Sequence, residues 1–153
     1  MNGLQSRHLV TLRIDVAFAD MLDVGGGALG KRRIAPIGGG SFEGERLRGA
    51  VLPGADWVVA RPDGRMAIDV RIGLKTDDGA AIYLAYQGLL SIAPEAVERY
   101  GRGEPIETSE YSLRALMRFE AGAERYTWLN DMLAVGIGTT IPTGAIYEVF
   151  EVV

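Results

Sequence analysis

Asp69 and Arg71 stand two residues apart in the run Arg65–Gly79, RMAIDVRIGLKTDDG. A carboxylate can take up or release a proton, and a guanidinium beside it can steady an enolate or carboxylate as charge develops. Residues i and i+2 of an extended strand share a face, so this spacing lets both side chains grasp one small molecule. The same pair on a wet surface is an ordinary ion pair of little energetic weight. Met66, Ile68, Val70, Ile72 and Leu74 fall on the opposite face. Which face looks into the protein therefore decides what the pair can do.

Few other residues compete for this chemistry. His8 is the only histidine and cysteine is absent. Neither a His/Cys metal cluster nor a Ser-His-Asp triad is expected, and no metal or cofactor is assigned. Proton transfer then falls to Asp, Glu or Tyr. In LPGADWVV, Asp56 precedes Trp57, so in a regular strand one of them faces in and the other out. Tyr86, Trp57 and Trp128 are candidate stacking walls for a bound ligand, and Asn130 is a candidate for orienting an oxygen. Gly25–Gly30, GGGALG, matches G-x-G-x-x-G, but KRRIAPIGGG follows it where a dinucleotide site needs a helix. Gly38–Gly40 lacks the Lys-Ser/Thr of a phosphate loop. Both glycine runs read as bends or close backbone approaches in a curved sheet.

The elements that must hold these side chains are mostly strands. RHLVTLRIDVAF alternates cleanly, with Val10, Leu12, Ile14 and Val16 on one face. KRRIAPI, GSFEG and ERLRGAVLPG are short strand candidates separated by Gly and Pro. ADWVVA, the Asp69 strand and AAIYLAYQGLLS form an antiparallel meander joined by the turns RPDG and TDDG. APEAVERYGRG predicts one short helix, with Pro94 in its first turn and Gly101 as its stop. SEYSLRALMRFE returns to alternation, AGAE turns the chain into RYTWLN, and MLAVGIGTT and GAIYEVFEVV close the chain as strands. Many short strands and one helix define an all-β chain, and a meander this long favours a single antiparallel β-barrel, which leaves no exposed edge.

The strand paired with Asp69 sharpens the first question. One of its faces carries Ile82, Leu84, Tyr86, Gly88 and Leu90, the other Ala81, Tyr83, Ala85, Gln87 and Leu89. Neither is properly polar, so both are expected to be covered. On that reasoning Asp69 and Arg71 line the barrel cavity. The Met66–Leu74 stripe then points outward beneath another subunit, giving a homo-oligomer, dimer or higher.

Composition bounds the rest. The chain has 153 residues, 48% apolar and 24% charged, the profile of one soluble globular domain spanning residues 1–153. No apolar run reaches the ~20 residues of a membrane span, and MNGLQSRHLV lacks a secretory pattern. The expected setting is cytoplasmic, with no membrane partner. A net charge of −4 without a basic stripe argues against nucleic acid as a partner.

GGGSFEGERLRGAVLPGADW, DGRMAIDVRIGLKTDDGAAIYLAYQG and the closing YTWLNDMLAVGIG and AIYEVFEV resemble the bacterial and fungal family known as domain of unknown function 3237. The likeness runs from about Leu9 to Val152. It implies a barrel with a central cavity, similar in outline to calycin or allene-oxide-cyclase-like barrels. Asp56, Trp57, Asp69, Arg71, Trp128 and Asn130 match the family's recurring positions. The resulting expectation is a cofactor-independent isomerase, cyclase or lyase on a small, largely apolar oxygenated metabolite, aromatic or polyketide-like. Asp69 is its expected acid or base, Arg71 the group that steadies charge, and Asp56, Trp57, Tyr86, Trp128 and Asn130 the binding residues. The alternatives are a non-catalytic barrel that binds a small hydrophobic or aromatic ligand, and a structural oligomer with a filled barrel.

Overall fold

A computed structural model describes residues 3–153. Alternating segments become β1 (Ser6–Val16), β2 (Leu22–Gly27), β3 (Gly30–Glu43), β4 (Arg48–Val51), β5 (Gly54–Ala60), β6 (Met66–Thr76) and β7 (Ala81–Ile92). Helix α1 (Pro94–Gly101) follows, then β8 (Tyr111–Ala121), β9 (Ala134–Ile141) and β10 (Gly144–Val152). Every strand pairing is antiparallel, and β1 pairs with both β10 and β3, which closes the sheet into an eight-stranded barrel. β4 and β5 share one strand position. Along β3, Val51 lies opposite Gly40 and Gly54 opposite Ile37, with Leu52–Pro53 as the break between them. The β2–β3 hairpin extends beyond this circuit.

The expected barrel, meander and helix are all present. Two local readings change. KRRIAPI and GSFEG are one strand, β3, which runs straight through the glycine run. Gly40 has φ +145, and a Cβ there would lie 1.9 Å from the Arg13 carbonyl oxygen, so only glycine permits β1 and β3 to approach this closely. RYTWLN, which the sequence leaves between a turn and a strand end, is a 3-10 segment, Glu124–Asp131. Leu129 and Tyr126 are driven into the end of the barrel at 0% and 4% exposure. The Asn130 side chain holds the segment there, accepting from Ala121 N–H at 2.8 Å and donating to its carbonyl at 2.9 Å.

The two ends of the barrel differ. At the end bearing the chain termini, the 3-10 segment closes the interior over Phe42, Phe119 and Leu74, all 2% exposed or less. Asp78 in the β6–β7 turn ties this plug down, accepting from the Thr76 hydroxyl, Tyr126 Oη at 3.0 Å and Arg125 Nη1 at 2.6 Å. Those bonds, led by the Thr76 hydroxyl, hold the Asp78 carboxyl below its ordinary range. At the opposite end, inward-facing side chains such as Val16, Met66, Ile68, Ile92 and Tyr111 pack on the core yet stay partly accessible. The inward side chains are therefore sealed from solvent at one end and partly reached by it at the other.

Candidate active site at the barrel mouth

The phase of β6 is opposite to the one expected. Val70, Ile72 and Leu74 are buried at 1–3% exposure and face the interior, so Asp69 and Arg71 project from the outer wall. The apolar stripe fills the barrel, and its burial inside removes the argument that a second subunit must cover it. Within the single chain the outer face of β7 is uncovered, with Tyr83 and Leu89 each 42% exposed. Trp57 shares that outer wall, and the Arg71 guanidinium stands 5.9 Å from its ring centroid. Trp128 and Asn130 belong to the plug at the closed end. The Trp128 indole donates to the Arg125 carbonyl, and Arg46 stacks over its ring at 4.1 Å. The structure thus separates five of the seven candidate residues from the interior mouth and brings two of them, Asp56 and Tyr86, together.

Asp56 faces inward because the break at Leu52–Pro53 resets the alternation before β5 begins, which leaves Trp57 outside. In register it lies between Ala35 of β3 and Val70 of β6, and Val70 in turn lies opposite Tyr86 of β7. The β5–β6 ladder is interrupted just above, where Trp57 and Val58 pass Ile68 and Asp69 without pairing. The carboxylate of Asp56 enters this gap, its Oδ1 accepting from the Asp69 backbone N–H at 3.0 Å. It thereby satisfies a donor that the ladder leaves free.

Burial pushes the Asp56 carboxyl up to about 6, against the downward pull of the Asp69 N–H bond and with a further upward push from the Asp69 charge. Two phenols share this space. The rings of Tyr86 and Tyr147, each 3% exposed, meet edge to face with centroids 5.3 Å apart. Burial raises both phenols, the neighbouring Asp56 charge raises them further, and each stays a neutral hydrogen-bond donor at physiological pH. Tyr100 of α1 packs against the core, and its phenol is shifted the same way, by burial and then by Asp56. α1 is tethered there by Arg99, which donates to Glu110 at 2.6 Å.

Tyr147 and Tyr100 were absent from the candidate set. The alternation of AIYEVFEVV does contain the signal for Tyr147, since Glu148 beside it faces out and Tyr147 and Val149 must face in. Tyr100 carries a signal too, since it stands four residues after the buried Ala96 and so on the same face of α1. Two shallow grooves, of 660 and 350 Å³, lie on the outer wall along β7 and β8, away from these groups. Among the described residues, no three His, Cys, Asp or Glu side chains gather closely enough to hold a metal ion. No helix among them is long and apolar enough to cross a membrane.

A closed antiparallel barrel, packed at one end and carrying a carboxyl and two phenols near its open end, defines the class of protein. Residues 5–152 match the model of the family described as Protein of unknown function (DUF3237), and the chain belongs to that family. It is 33% identical over 150 residues to a UPF0311 protein of Rhodopseudomonas palustris, covering 97% of each chain. A crystal structure of a conserved protein of unknown function from Rhodopseudomonas palustris superposes with a TM-score of 0.93 at 31% identity, covering 100% of both chains. A β-barrel like protein of Acinetobacter baumannii superposes at 0.86 with 34% identity, covering 100% of this chain and 98% of that one. A structure described as an enzyme from Penicillium herquei shares the fold at a TM-score of 0.74 and 16% identity, covering 100% of this chain and 97% of that one.

Proposed function

We propose that the barrel mouth is a cofactor-independent acid–base site that isomerises, cyclises or cleaves a small, largely apolar oxygenated metabolite. The observation that carries this reading is Asp56, an inward carboxyl whose burial holds its pKa at about 6 beside two neutral phenols. A base with that pKa is ionised at neutral pH yet returns its proton readily, which suits abstraction from carbon next to a carbonyl. Tyr86 and Tyr147 supply hydroxyls that can donate to the enolate oxygen as it forms. Proton removal by Asp56 and redelivery at another atom of the same substrate balance without an oxidant or second reactant. A barrel of this fold serves as an enzyme in Penicillium herquei, which supports a catalytic use of the scaffold.

The test is deuterium wash-in from D2O at the α-carbon of a panel of cyclic aryl ketones and β-diketones, followed by proton NMR. The wild-type protein is expected to exchange at least one compound with kcat/KM rising through pH ~6, the Asp56 value. Asp56→Asn is expected to lose about 100-fold or more. Equal exchange by Asp56→Asn removes the assigned base. A compound that is bound tightly and recovered unexchanged favours a binding barrel instead.

A further inference from the structure

The wall that rises from Asp56 ends in two cations. Beyond Ala35, the inward file of β3 continues with Arg33 and Lys31, which lie in register with Val58 and Ala60 of β5. A rise of roughly 3.3 Å per residue sets Arg33 about 7 Å and Lys31 about 13 Å above the Asp56 row. Both are exposed, and among the described residues neither has a salt bridge or side-chain hydrogen bond. Two acids on the adjoining segments make contacts of their own. Asp23, the register partner of Arg33 in β2, accepts from Gly25 N–H at 2.9 Å. Asp63 of the β5–β6 turn is held by Arg61 and Arg65. Between the cations and Asp56 the wall is apolar, with Val58, Ile68 and Met66 partly accessible.

We propose that the mouth takes an amphiphilic anion. Its apolar body lies against Val58, Ile68 and Met66, and its carboxylate, sulfonate or phosphate is held at the rim by Arg33 and Lys31. This inference rests on the Asp56 mouth being the site and adds the charge and orientation of what enters it. Two exposed cations without an ion-pair contact among the described residues, on a chain of net charge −4, draw an anion toward this end. The offset along β3 keeps that anion away from the Asp56 carboxylate, which would repel it. The reacting carbon then lies deeper than the anionic group.

Two fluorescent probes share one apolar body and differ in this charge. 1-Anilinonaphthalene-8-sulfonate carries a sulfonate, and N-phenyl-1-naphthylamine does not. In fluorescence titrations at low salt, the double variant Arg33→Gln/Lys31→Gln is expected to lose about tenfold of the sulfonate's affinity and to keep that of the neutral probe. Salt at 0.5 M, where the Debye length is only about 4 Å, is expected to erase most of the wild-type preference. Leu116→Asp, which alters the exposed outer wall, is expected to change neither. Unchanged sulfonate binding in the double variant overturns the proposal, as does equal loss of both probes or loss of sulfonate binding in Leu116→Asp. The Asp56→Asn variant keeps the two readings apart. If Asp56 is not the base, deuterium exchange survives Asp56→Asn while the charge preference at the rim remains. If the rim proposal fails, the Asp56-dependent pH profile remains.

Discussion

Asp56 is held at odds with its own charge. Water is largely excluded from it, Asp69 stands close by, and one backbone N–H is its sole hydrogen-bond donor among the described residues. Its folded pKa of about 6 lies above the ordinary aspartate value of 3.8, so between those values the folded state binds more proton than the unfolded state. Stability contributed here is therefore present at low pH, falls as pH rises from about 4 to about 6, and is flat above. The two-unit difference corresponds to about 3 kcal/mol lost by pH 7. Asp56→Asn keeps an oxygen for the Asp69 N–H and removes the charge. It is expected to raise Tm at pH 7.5 and to leave it unchanged at pH 4. Scanning calorimetry at the two pH values checks this, and a Tm gain that is the same at both would show that ionisation is not its source. A residue that weakens the fold in its ionised form fits a functional role better than a packing one.

At the level of elements, the glycine run Gly38–Gly40 shows how three identical residues can do different work. A Cβ on Gly40 would meet the Arg13 carbonyl oxygen at 1.9 Å, at φ +145, whereas one on Gly38 would meet nothing within 4 Å. Gly40→Ala is expected to cost about 3 kcal/mol or more in urea unfolding, and Gly38→Ala less than about 0.5 kcal/mol. Similar losses at both would contradict the close approach of β1 to β3. The curvature of this region was legible from glycine and proline content alone, as were the meander, the helix at Pro94 and the closing strand. The opposite orientation of Asp56 and Trp57 was legible too. Which of them faced in was not, because the break at Leu52–Pro53 sets the phase of β5 and no periodicity crosses it. Asp69 and Arg71 were misplaced for a different reason. The apolar outer face of β7, with Tyr83 and Leu89, argued for cover on both sides of the sheet, yet no other segment of the barrel covers that wall. Tyr86 faces the interior because it shares the alternation of Leu84 and Leu90, both buried.

The whole molecule divides its two tasks between its ends. The closed end gathers the first and last described segments, with Val153 N–H donating to the Gln5 carbonyl at 3.0 Å and β1 paired along β10. Glu151 accepts there from Arg7 at 3.1 Å and Arg46 at 2.5 Å, and Arg46 in turn covers Trp128. Beneath this cover Leu129 is fully buried. At the open end Met66 occupies an equivalent inward position but remains partly accessible. Leu129→Ala leaves a cavity that its closely packed neighbours cannot fill, at an expected loss of about 3–5 kcal/mol. Met66→Ala removes a side chain of similar size from a wall that water already reaches, so its expected loss is about 1 kcal/mol. Urea unfolding of the two variants measures the contrast directly, and equal losses would mean that the barrel is packed alike from end to end. The expected difference is what lets one small barrel keep a rigid base while holding a poorly solvated carboxyl near an open mouth: the packed end carries the stability that ionised Asp56 takes away.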